Sequence, residues 1–168
     1  NVWAYADIAS PDGWNTGDVN LITSSTGSFE YPIDVSMDPA KDNDSRRAVT
    51  TQLFYVLNYM HDYFYDAGWT EAALNPQKSN YGRGGAEMDA IKGESQDSSG
   101  RNNANASTPA DGRSPRIQMY LFDNDSTTAK VTAPMDLAGV MKTAAADFGP
   151  STYSVNGDLL VADDDVMG

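Results

Sequence analysis

Hydrophobic and polar positions divide this chain into segments with different periods. From Val49 the apolar residues recur at helical spacing, and Val49, Leu53, Val56, Leu57, Met60, Phe64 and Ala67 share a face. Phe54, Tyr55, Tyr59, Tyr63 and Tyr65 widen that stripe until little of the circumference is polar. The pattern predicts a long buried helix over 49–67, central rather than superficial. Gly68 suits the left-handed stop beyond its end. Upstream, Asp42, Asp44 and Ser45 offer an N-cap or a first-turn acid, whereas Arg46 and Arg47 sit badly near the positive end of the helix dipole. Thr70 to Leu74 predicts a second, short helix with Thr70 at its cap, ended by Asn75-Pro76.

The extended segments have a period of two. VWAYADI (2–8) alternates imperfectly, and SFEYPIDVSM (28–37) predicts a strand with Phe29, Tyr31, Ile33 and Val35 on one side. RIQMYLF (116–122) is a clean strand, with Ile117, Met119 and Leu121 facing one way and Gln118, Tyr120 and Phe122 the other. NYGRGGAEMDAI (80–91) reads as a glycine-rich turn leading into a short apolar element. Between these, Gly93 to Pro115 offers only alanines as apolar side chains. Burial fixes such a stretch poorly, so it is predicted as loop, or as an edge strand held by backbone hydrogen bonds. After Thr128 the chain reads as a strand, a proline turn, an alanine-rich piece, a Phe-Gly-Pro turn and a strand from Asp158 to Ala162. The expectation is an α+β chain with one unit over 1–127 and a second, unfinished one over 128–168.

Charge narrows the partners. With 24 acidic against 11 basic residues the formal charge is −13, which repels nucleic acid phosphates and anionic lipid. No nucleic acid and no membrane partner is expected, and no window approaches 18 consecutive apolar residues. The absence of cysteine removes disulfides, thiolate metal ligands and cysteine nucleophiles. The chain begins at Asn1 rather than methionine, so the lack of a signal peptide carries no information.

Candidate chemistry is sparse. His61 is the only histidine, and a helical zincin motif needs two of them four apart, where this chain has Leu57 and Tyr65. His61, beside Asp62, is therefore read as a structural residue joining the helix to its neighbours, or as one supporting a site without ligating. GRGGAE lacks the spacing of a phosphate loop, so its glycines serve turns and close packing. The acidic turns DNDS (42–45), DNDS (123–126) and DDD (163–165) offer hard oxygen ligands without the twelve-residue calcium loop; calcium is a second candidate cofactor. NNANAS (102–107) suits either an ordinary ordered loop or an exposed edge that adds a peptide as an extra strand, with Asn side chains as donors and acceptors.

Taken together, VTTQLFYVLNYMHDYFYDAGWTEAALN (49–75), NYGRGGAEMDAI (80–91) and QDSSGRNNANASTPADGRSPRIQMYLF (96–122) resemble consecutive signatures of the fungalysin family, secreted thermolysin-like zinc metalloendopeptidases. The tail from Val131 is similar to the opening of a protease-associated domain. The resemblance implies a thermolysin-like amino-terminal lobe, with irregular β structure, a long buried helix and an edge strand. It implies a zymogen whose Zn2+ is bound by a downstream HExxH segment absent here, so that this chain holds no catalytic and no metal-ligating residue. Asn103 would then grip the substrate backbone, Ala104 would use its carbonyl, and Asn105 would open the stretch where relatives carry Asn-Phe-Ala against Asn105, Ala106 and Ser107 here. The implied partners are the remaining catalytic segment of the same precursor as a second chain, its propeptide, and peptide or protein substrates. The alternative is a secreted acidic interaction module, or a calcium-dependent binding module, without enzymatic activity.

Overall fold

The computed structural model of the chain describes residues 1–34, 36–123, 128–131 and 139–142. It divides into one unit over Asn1–Asp123 and another over Asn124–Gly168. In the first, β1 (Val2–Ala6), β3 (Ile91–Arg101) and β5 (Arg116–Leu121) run parallel. β2 (Val19–Asn20) and β4 (Ala104–Ser107) close the two sides antiparallel, giving the order β2-β1-β3-β5-β4. Parallel neighbours need long connections. The one between β1 and β3 contains β2, α1 (Asn43–Asp66) and a short 3-10 helix, Glu71–Ala73.

α1 begins earlier than the apolar period indicates because Asp42 caps it, its carboxylate accepting from the Ser45 N–H at 2.7 Å. Arg46 closes the first turn and Arg47 opens the second, pairing with Asp44 at 3.3 Å. Gly68, at φ +105°, takes the expected left-handed position after the helix. α1 approaches the sheet closely over Gly93, where a Cβ would come within 2.8 Å of Leu57 Cδ1. Two turns earlier Thr50 and Ser95 share a hydroxyl hydrogen bond of 2.6 Å.

The other face of the sheet is roofed by residues 7–18. The Asp18 carboxylate gathers the loop by accepting from the N–H groups of Ile8, Ala9 and Asn15. Trp3, Tyr5 and Trp14 pack together, with ring centroids 4.9 to 5.5 Å apart. Beneath lies a polar layer: the Tyr5 hydroxyl donates to Glu94, Arg116 bridges Glu94 and Asp12, and Gln118 reaches Asp97 at 2.5 Å. Burial pushes the Asp7 carboxyl up to about 6, against the pull of the Gly13 N–H.

Three expectations are corrected. Residues 28–34 form no strand: Pro32 has no N–H for a ladder, and Phe29 instead packs its ring on Phe54 of α1 at 5.5 Å. Val35 lies outside the described residues. The polar stretch from Gly93 is no loop in its first part. It forms β3, the middle strand of the sheet, because its side chains find hydrogen-bond partners there; within this stretch only β4 lies at an edge. α1 is not buried all round either, for Tyr55, Tyr59 and Tyr63 are each at least 59% exposed. In the second unit, β6 (Thr128–Val131) pairs antiparallel with β7 (Gly139–Lys142). The expected strand 158–162 and the acidic run 163–165 lie outside the described residues.

Candidate functional site

β4, with Asn103 just before it, carries the residues that the sequence singles out. All four of its residues are exposed, and β5 alone pairs with it, Ala104 opposite Met119 and Asn105 opposite Gln118. The Tyr120 N–H donates to the Asn103 carbonyl at 3.2 Å, which turns the Asn103 main chain toward β5. Strand alternation then turns the main-chain groups of Ala104 and Ala106 away from β5, to the free edge of the sheet. Asn103 folds its side chain back, Oδ1 accepting from the Ala104 N–H at 2.8 Å. That leaves the Ala104 carbonyl and the Asn103 amide N–H groups facing outward. Asn105 Nδ2 donates to the Tyr120 hydroxyl at 3.0 Å, steadying the next side chain along. Before β4, Asn102 adopts φ +56° and ties the turn down by donating to Asp123 at 2.8 Å.

His61 and Asp62 lie elsewhere, on α1. The imidazole is 3% exposed, with Nδ1 at 3.1 Å from Asn1 Nδ2 and 3.0 Å from the Asp62 carboxylate, and Nε2 at 3.4 Å from Asn75 Nδ2. Both ring nitrogens are engaged, joining the helix to the start of β1 and to the segment after the 3-10 helix. Asp62 is exposed. With this single, occupied histidine and no cysteine, the residues of the chain do not fit a zinc centre.

A neighbouring polar cluster had no clear sequence signal. Glu71 is 3% exposed and accepts from Tyr65 of α1 at 2.9 Å, Gln77 at 3.0 Å and Arg83 at 3.2 Å. Its own backbone N–H, then these donors, hold its carboxyl down at about 2. GRGGAE earns its glycines here: Gly85 has φ +68°, and a Cβ on it would come within 2.7 Å of the Glu71 carbonyl. The structure also gathers Asp7, Asp12, Glu94 and Asp97, which come from distant positions and which sequence spacing does not connect.

Comparison with known proteins agrees with the quoted motifs. The family model described as Fungalysin metallopeptidase (M36) matches residues 1–145. Extracellular metalloproteinase 5 of Arthroderma gypseum is 43% identical over 114 residues, 67% of this chain and 17% of the relative. Extracellular metalloproteinase 1 of Arthroderma otae is 42% identical over 114 residues, covering 67% and 18%. Extracellular metalloproteinase 5 of Trichophyton rubrum is 45% identical over 94 residues, covering 56% and 14%. The chain thus spans less than a fifth of the length of these relatives. The family model covers most of the chain, and the protein belongs to the fungalysin metallopeptidase family.

Proposed function

We propose that this chain is the amino-terminal part of the catalytic region of a secreted zinc metalloendopeptidase, and that β4 forms the wall of its cleft that aligns the substrate. The observation that carries this reading is the free edge of β4, where Ala104 and Ala106 present main-chain groups outward from an ordered sheet. A peptide laid antiparallel along that edge becomes an added strand. It gains main-chain hydrogen bonds irrespective of its side chains, as an enzyme cutting many proteins requires. The Ala104 carbonyl accepts a substrate N–H. Asn103, its Oδ1 held by the Ala104 N–H, turns its amide N–H groups to a substrate carbonyl. Ala106, where the family resemblance implies an aromatic, leaves a roomier contact for a substrate side chain.

The zinc and the HExxH segment belong to residues outside this chain, which supplies none of the ligands. The family and the extracellular metalloproteinases among its relatives support secretion, metal dependence and action on peptide bonds. The remaining catalytic segment of the same precursor is the partner this reading requires.

Asn103→Ala in the full-length enzyme tests it. Loss of one or two neutral hydrogen bonds, each about 0.5–1.5 kcal/mol, lowers kcat/KM on an extended peptide by roughly 2- to 13-fold for a single bond. Zinc content and thermal midpoint stay near wild type. An unchanged kcat/KM, or a fall in stability matching the fall in activity, would overturn the assignment.

A further inference from the structure

We infer that Asp7, Asp12, Glu94 and Asp97 form a site for a hard divalent cation, calcium, beneath the 7–18 loop on the sheet face away from α1. This stands apart from the edge-strand reading and uses none of its residues. Each of the four offers one carboxylate oxygen, and these oxygens lie within 4.8 Å of one another. Two ligands on opposite sides of a calcium ion, at about 2.4 Å each, are separated by that same span.

Burial and charge distinguish the group from an ordinary acidic turn. Asp7 and Glu94 are fully buried and Asp97 is 2% exposed. Among the described residues, Arg116 is the cation paired with them. It spans Asp12 and Glu94, at 2.5 and 2.6 Å, and touches neither Asp7 nor Asp97. Four carboxylates against one guanidinium leave three negative charges in a desolvated place, an arrangement that demands a counter-charge.

A second observation points the same way. Asp7 Oδ2 accepts from the Gly13 N–H at 2.8 Å, but its buried Oδ1 has no hydrogen-bond partner. Buried carboxylate oxygens are rarely left so, and an ion satisfies this one. Gln118 supplies the remaining polarity. Its side-chain amide lies 3.2 Å from Asp12 Oδ1 and 2.5 Å from Asp97 Oδ2, and rotation by a half-turn exchanges its N–H2 for a neutral oxygen ligand.

The donor set is all oxygen, with no imidazole or thiolate, which selects calcium or magnesium over zinc. Carboxylates arriving from a loop and one strand, in no octahedral frame, suit the flexible shell of calcium. Water at the exposed Asp12 side completes it. The ion would pin the 7–18 loop to β3.

The test is terbium luminescence on the full-length protein dialysed free of calcium, excited through its aromatic side chains. The Tyr5 hydroxyl touches Glu94, and the Trp14 ring lies 5.2 Å from that of Tyr5, so a terbium ion in the site is sensitised directly. Expected are saturable emission displaced by added Ca2+, and a thermal midpoint that rises with Ca2+. Asp97→Asn weakens both ions by about tenfold or more, as losses around a metal site do. Asp12→Asn, a change at an exposed position that folding tolerates, weakens them in the same direction and decides the matter should Asp97→Asn fail to fold. Emission and Ca2+ affinity unchanged in natively folded Asp12→Asn and Asp97→Asn, or no emission and no Ca2+ effect in the wild type, would overturn the site.

Discussion

β3 and α1 pack against each other and invert the usual relation between polarity and burial. β3 is built from Ile91-Lys-Gly-Glu-Ser-Gln-Asp-Ser-Ser-Gly-Arg101, yet it runs through the middle of the sheet, with Glu94 and Ser95 fully buried and Asp97 nearly so. α1 carries the densest run of aromatic residues in the chain, yet its buried positions are Ser45, Thr50 and His61. Tyr63 is 60% exposed and Phe64 43%. What accompanies these polar residues into the interior is hydrogen-bond partners from other segments rather than apolar side chains. Glu94 has Tyr5 and Arg116, Asp97 has the Ser99 N–H and Gln118, and Ser95 has Thr50. The outer face of α1 has only solvent in this unit. Exposed apolar surface is worth about 25 cal/mol per Å² when covered, and the rest of the protease is the occupant we propose for this face.

The largest effect should come from disturbing β3. Glu94→Ala strands Arg116 and the Tyr5 hydroxyl, and breaking a buried pair costs about 3 kcal/mol, the low end of the usual range because Arg116 keeps Asp12 and some solvent. Urea unfolding of the full-length protein measures this. A loss below about 1 kcal/mol would mean that the polar strand is not held by its partners.

A smaller effect separates a covered α1 from an open one. If the rest of the enzyme seats on the outer face, Tyr59→Ala, at a position 59% exposed in this unit, lowers the stability of the full-length protein by about 2 kcal/mol. A surface truncation stays within about 0.5 kcal/mol, and that result would leave the helix face to solvent.

The smallest effect is in the pH profile, at the C-terminal attachment of α1. Glu71 is held at about 2 in the fold against its usual 4.5, so between those values the unfolded chain binds more protons. The contribution is complete above about 4.5 and is lost as the pH falls toward 2. Glu71→Gln should therefore flatten the decline of the thermal midpoint across that acid range. A profile of unchanged slope would place the acid sensitivity in other carboxylates.

Much of the candidate edge was legible because it is local. The clean alternation of Arg116 to Leu121 predicts a strand and the NNANAS run leaves an ordered loop or an exposed edge open; the structure decides for the edge, with β4 against β5. The helix was legible from its period, and its stop from Gly68. The direction of the Asn103 side chain was not, because it depends on a hydrogen bond to the Ala104 N–H that forms only once the chain has turned at Asn102. The four carboxylates under the 7–18 loop were invisible for a stronger reason. Asp7 and Glu94 are separated by most of the unit and meet only because β1 and β3 pair in parallel, with Tyr5 opposite Glu94.

By itself the sequence determined the periods, the caps and turns, the strongly acidic charge, the shortage of zinc ligands and the motifs of a family. Each of these is a property of residues near one another in the chain, or of composition. Tertiary structure alone decided that a strand without apolar side chains occupies the centre and that an aromatic helix keeps a face open. Burial of a polar group is settled by partners from distant segments, and a linear pattern of hydrophobicity records none of them.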